Sequence, residues 1–139
     1  LLDIGVLPDI MAGNIIGILA QRLVRRLCTH CRKPYPAEAH ECKLMGVVSG
    51  QPAPILYRAA GCDHCEYQGY RGRIAIMEML RMDNDLDDLI SRRAPQREIR
   101  NLAMEKGFRP LSEDGLRRVL DGSTSIEEVG RVIDLTERM

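Results

Sequence analysis

Apolar residues recur at helical spacing near the start of the chain. Ile16, Leu19, Ala20, Leu23, Val24 and Leu27 fall three or four apart or side by side. The spacing predicts a long N-terminal helix, opened by Pro8 and Asp9 and running to about Leu27. Gly13 and Gly17 lie within it. They either permit close helix–helix approach or weaken the helix by about 1 kcal/mol each. From residue 32 to 61 the pattern breaks at Pro34, Pro36, Pro52 and Pro54. A short helix is expected over Glu38 to Val48, with Cys42, Leu44 and Met45 inward. Ile55-Leu56-Tyr57 reads as a short strand. Arg73 to Leu80 reads as another, apolar on both sides and therefore expected to be buried on both.

The period becomes helical again from Asp83. Leu86, Leu89 and Ile90 form one stripe; Ile99, Leu102 and Ala103 form a second. Pro95 suits the first turn of a helix and Gly107 its C-terminal stop. Ser112 is placed to cap a third helix carrying Leu116, Val119 and Leu120. Ser125-Ile126-Glu127-Glu128 has the form of a capping box and opens a fourth, with Ile126, Val129 and Ile133 inward. The fold expected is α+β and mainly helical. It has a long N-terminal helix over 1–27, a lobe with short strands over 28–72, a strand over 73–82, and a bundle of about four helices over 83–139.

Two cysteine knuckles change this picture most. Cys28-Thr29-His30-Cys31 and Cys62-Asp63-His64-Cys65 supply four sulfurs with thirty residues between them. A pair of C-x-x-C units is the ligand pattern of a closed tetrahedral thiolate site, built for structure and not for activating water. Iron held by four cysteines satisfies the same spacing. The gap exceeds the usual zinc-ribbon spacing, but the longer loop adds only roughly 0.5 kcal/mol of closure cost. A redox motif uses one C-x-x-C at a helix start after a strand; here the first knuckle is expected to follow a helix. Arg22, Arg25, Arg26, Arg32, Lys33, Arg71 and Arg73 flank the knuckles. They would offset the two surplus negative charges of a zinc tetrathiolate, or form a solvated basic face. His30, His40 and His64 read as bystanders to four thiolates. Cys42 is a fifth, odd cysteine with no assignable role, and an odd count suits a reducing compartment.

Composition excludes more than it selects. Twenty basic residues balance twenty acidic ones, so no overall field points to nucleic acid or acidic lipid. Aromatics are 4% of the chain, with no Trp, too few for stacking platforms on single strands. The apolar run Ile10–Ala20 is too short to span a bilayer. The sequence has no G-x-x-x-x-G-K-[ST], H-E-x-x-H or G-x-S-x-G motif. The first residues start abruptly and without Met, as in a piece of a larger protein.

Longer motifs carry a resemblance. Ala20-Gln21-Arg22-Leu23-Val24-Arg25-Arg26-Leu27-Cys28 with Cys31 resembles the signature of the secretion ATPases that drive type II secretion and type IV pilus assembly. Gly61-Cys62 and Cys65, then Gly69-Tyr70-Arg71-Gly72-Arg73 and Glu78, are similar to its second half. Gly122-Ser123-Thr124-Ser125-Ile126-Glu127-Glu128-Val129, with Arg131 and Val132, resembles the closing helix. Thr29 and Ala75-Ile76 depart from the pattern without touching a cysteine.

The resemblance leans to the type II member, the general-secretion E type. It implies the C-terminal part of a hexameric RecA-like ATPase, with 1–27 leaving the ATPase core and Cys28, Cys31, Cys62 and Cys65 holding structural zinc. ATP and Mg2+ would bind only in the parent, so this stretch has no catalytic residue of its own. The partners implied are the other subunits of a homohexamer and the inner-membrane platform that assembles pseudopilins, with no nucleic acid. The location implied is cytoplasmic, at the inner membrane through partners. A type IV pilus ATPase and a stand-alone zinc-ribbon module are the alternatives.

Overall fold

The computed structural model describes residues 4–135. These form two compact units. One takes the chain through Ala20 together with Glu78–Pro110; the other takes Gln21–Met77 and the segment from Leu111 onward.

The long N-terminal helix is not what forms. A single turn, α1 (Pro8–Met11), is followed by the eleven-residue strand β1 (Gly17–Leu27). Two physical causes stand out. Gly13 has φ of +80°, which ends any helix there. The apolar residues that looked like one helical stripe are not buried together: Ile16, Leu19 and Leu23 are exposed, while Val24 and Leu27 are fully buried. In β1 the backbone finds its partners in β4 (Tyr70–Arg81) instead. The strand expected over 73–80 lies within β4, but it is not buried on two faces. Ile76 is buried, whereas Met77 and Met79 are exposed.

In the larger unit, β2 (Lys33–Pro36) pairs antiparallel with β3 (Ile55–Arg58), Tyr35 opposite Leu56. Between them lies α2 (Ala39–Leu44), shorter than the helix expected over Glu38–Val48. Glu38 caps it, and the Glu41 carboxylate accepts from the Glu38 N–H at 2.9 Å and the Tyr35 hydroxyl at 2.7 Å. Helices α5 (Leu111–Leu120) and α6 (Ile126–Val132) complete the unit. Leu44, Leu56, Leu116, Val119 and Val129 meet in one core, with Cys42, Met45, Ile126 and Ile133 packed against it. Each fully buried aliphatic side chain contributes about 1.5–3 kcal/mol.

Helices α3 (Asn84–Ser91) and α4 (Gln96–Glu105) pack on each other in the smaller unit, with α1 against α3. Asp83 caps α3 by accepting the Leu86 N–H at 3.0 Å. Lys106 then ties Asp83 and Asp85 at 2.6 and 2.8 Å. The four C-terminal helices therefore divide two and two between units, and a single bundle is not what the structure shows. Two caps also differ from expectation. Leu111 starts α5, so Ser112 lies inside the helix. Ser125 does accept the Glu128 N–H at 3.1 Å, but the Glu128 carboxylate turns elsewhere.

Candidate metal centre

β1 delivers the first knuckle. Its last residue, Leu27, donates its N–H to Ser123 O at 2.8 Å, and Cys28 donates to Gly69 O at 3.0 Å. The first knuckle thus follows a strand, not a helix, so its position in the chain is no argument against a redox pair. The second knuckle is a 3-10 turn, Asp63–Cys65. Glu66 and Tyr67 then take φ of +54° and +62°, which is costly for residues with a Cβ. The Tyr67 N–H donates to Cys62 O at 2.8 Å and its hydroxyl bonds the Asp63 carboxylate. These bonds hold the turn that aims Cys62 and Cys65 at the first pair.

All four sulfurs lie within 4.8 Å of one another. Cys28 faces Cys62 at 3.8 Å, Cys31 faces Cys65 at 3.8 Å, and Cys62 lies 3.9 Å from Cys65. A tetrahedron with metal–sulfur bonds of about 2.3 Å has edges of about 3.8 Å. The four thiols can therefore hold one metal ion at their centre, and the donor set fits zinc. Three backbone N–H groups point at the sulfurs: Gly61 to Cys31 at 3.3 Å, Cys62 to Cys65 at 3.3 Å and Gly69 to Cys65 at 3.2 Å. Such donors stabilise thiolate over thiol. Burial pushes the Cys62 thiol up to about 11. Burial also opposes ionisation of Cys65, but the N–H groups of Cys62 and Gly69 outweigh it and bring Cys65 down to about 6.

Gly69 makes this approach possible. Its φ is +81°, and a Cβ there would sit 2.6 Å from the Ala59 Cβ. Gly69→Ala is expected to cost about 2–3 kcal/mol through strain and overlap. The check is the chemical denaturation midpoint with metal bound, where an unchanged midpoint would contradict the packing described.

The remaining candidates separate cleanly. His30 and His64 lie outside the sulfur cluster and stack on each other, 3.9 Å between centroids at 15°. His40 pairs with Glu38 at 3.5 Å. Cys42 stands apart, its thiol 3.7 Å from Ala37 O. Of the flanking cations, Arg32 donates to Gly122 O at 2.6 Å and stacks over Tyr57.

Arg25 belongs to a network that sequence reasoning missed. Glu128, 1% exposed, receives the Arg25 N–H at 3.0 Å, the Arg25 guanidinium at 3.0 and 3.1 Å, and Arg131 at 2.6 and 3.2 Å. Arg25 also lies over the Tyr70 ring, whose hydroxyl meets Ser125 Oγ at 2.7 Å. This network fastens α6 to the strand that carries Cys28. The signal was present as Ser-x-x-Glu, but the capping motif gave the Glu a local partner in place of one 103 residues away.

The chain is similar to known proteins over nearly all of its length. Residues 1–131 match the family model described as Type II/IV secretion system protein. The chain belongs to this family. It is 42% identical over 132 residues to the type II secretion system protein E of Pseudomonas aeruginosa, covering 95% of this chain and 26% of that protein. It is 43% identical over 134 residues to the type II secretion system ATPase E of Vibrio cholerae, covering 94% and 25%. It is also 40% identical over 135 residues to the type IV pilus assembly ATPase TfpB of Acinetobacter baylyi, covering 96% and 23%. The chain thus spans about a quarter of the length of these relatives in the secretion family. No helix among the described residues is long and apolar enough to cross a membrane.

Proposed function

We propose that this chain is the zinc-binding C-terminal region of a hexameric ATPase that powers pseudopilus assembly and protein export through a type II secretion system. Cys28, Cys31, Cys62 and Cys65 hold structural zinc. The metal supplies a rigid cross-link between two knuckles and no chemistry on a substrate. The region stabilises the protein and passes motion from the ring to an inner-membrane platform partner. ATP and Mg2+ bind elsewhere in the longer protein, which works in the cytoplasm and meets the membrane through partners. The observation that carries this reading is the cluster of four sulfurs within 4.8 Å, three of their separations being 3.8–3.9 Å, in a chain of this family.

Export by a strain lacking the protein tests it. The full-length protein with Cys28→Ser is expected to leave export unrestored, while the unaltered protein restores it. Intact export would overturn the role given to the metal. Unaffected export with lost pili would favour the type IV pilus alternative, which the Acinetobacter relative keeps open. The chain incubated with ATP and Mg2+ is expected to show no turnover.

A further inference from the structure

We propose that a cavity beside the metal centre docks a carboxylate-bearing segment of a protein partner. This rests on the reading that the lobe transmits motion to a partner, and it names that partner's chemistry. The cavity has a volume of about 380 Å³ and is lined by Arg26, Leu27, Cys28, Thr29, His30 and Arg71. Arg26 comes from β1 and Arg71 from β4, the two paired strands. No carboxylate lines it.

The two guanidiniums differ from most paired cations of the chain. Arg25 and Arg131 share Glu128, Arg117 holds Asp114, and Lys106 holds Asp83 and Asp85. Arg26 and Arg71 have no carboxylate partner among the described residues. Arg71 donates one N–H to His64 O at 2.8 Å, which orients its plane and leaves its other donors free. A guanidinium fork fits a carboxylate with two parallel hydrogen bonds. The Thr29 hydroxyl and the exposed His30 ring add donors at the same rim.

Charge favours the same occupant. A zinc tetrathiolate carries two surplus negative charges. Arg22 and Arg73 stand further along the same two strands, exposed and also without a carboxylate partner among the described residues. Asp63 and Glu66 line the neighbouring cavity, so the positive field is confined to the concavity that Arg26 and Arg71 line without a carboxylate. A bilayer fits less well, because anionic lipid rewards a broad polybasic face. The neighbouring cavity, which shares Arg71, is lined by Asp63 and Glu66, and these would repel such a surface. A narrow acidic segment entering one concavity avoids them.

The test uses the intact protein and a fluorescein-labelled oligoglutamate peptide, read by anisotropy, with oligoglutamine as its uncharged match. Arg26→Gln and Arg71→Gln are each expected to weaken oligoglutamate binding by about tenfold. Arg22→Gln, outside the cavity, is expected to change it by about twofold or less. Equal binding of oligoglutamine, or no effect of Arg26→Gln and Arg71→Gln, would overturn the proposal. So would displacement of the peptide by inorganic phosphate at lower concentration, which marks a free-anion site. Tighter binding to phosphatidylglycerol vesicles with the same arginine dependence would assign the cavity to lipid. Zinc content is measured on every variant. Full zinc with no peptide binding removes the docking site and leaves the structural metal standing, whereas absent zinc removes the metal reading whatever the peptide does.

Discussion

Replacing Cys62 with serine is expected to abolish zinc binding and to unfold the lobe around it. The cluster consists of four sulfurs within 4.8 Å of one another, three of whose separations are 3.8–3.9 Å, so no spare ligand stands ready. His30 and His64 are stacked on each other and lie outside the cluster. A structural zinc site of this size supplies on the order of 10 kcal/mol to folding. Short-range hydrogen bonds shape the second knuckle, but its turn carries two residues at positive φ. Protein purified without added metal should contain about one zinc per chain by elemental analysis, and the variant should contain none. Its far-ultraviolet circular dichroism should lose the cooperative transition of the lobe. Cys42→Ser is the control: its thiol is apart from the cluster, so the zinc content should be unchanged and the stability cost below about 1.5 kcal/mol. A well-folded Cys62→Ser protein that keeps its zinc would remove Cys62 from the ligand set. Iron in place of zinc would keep the four ligands and change the metal.

The second large effect is expected at Glu128. Burial would raise its carboxyl, but hydrogen bonds from Arg131 and Arg25 outweigh this and hold it at about 2, below its ordinary 4.5. A group depressed in the folded state stabilises the fold above its unfolded value and loses that contribution as pH falls. The window therefore runs from about 4.5 down to about 2, and the contribution lost across it is about 3 kcal/mol. Glu128→Gln keeps the shape and removes the charge. It should cost about 2–3 kcal/mol at neutral pH. Breaking a fully buried pair costs more, but Arg25 and Arg131 are 47% and 58% exposed and regain water. The difference in stability between the two proteins should shrink as the pH falls through the window. Thiol protonation and metal release affect both proteins alike and cancel in that difference. A gap that stays constant with pH would show that Glu128 stabilises by packing and not by charge.

The parts legible in the sequence are those governed by local chemistry. Four sulfurs at knuckle spacing needed only the ligand rule. The short strand at Ile55 to Tyr57, the cap at Ser125 and the stop at Gly107 each follow from a few adjacent residues. What misled was the stretch from Pro8 to Leu27. Its apolar residues satisfy a helical period, yet β1 is a strand because its backbone bonds are made with β4, far along the chain. Residues on strands with exposed faces lose the alternation that would reveal them, and Leu19 and Leu23 are such residues. Glu128 was hidden for a similar reason. Its partners Arg25 and Tyr70 are set by tertiary structure, while the motif around it names a local one.

The way the sulfurs pair has a consequence for how this lobe tolerates change. Because Cys28 meets Cys62 and Cys31 meets Cys65, the chain between the knuckles leaves and returns through one small ring of atoms. Ends so closely tied do not register what happens at the far tip. That tip runs from Gly46 to Ala53, where Val48 is exposed and Gly46 and Gly50 take positive φ. Doubling a loop there costs only about 0.6 kcal/mol. The clustered cysteines therefore make the tip a permissive insertion site, where homologous chains can diverge in length and where a fluorophore or epitope can ride without disturbing the centre.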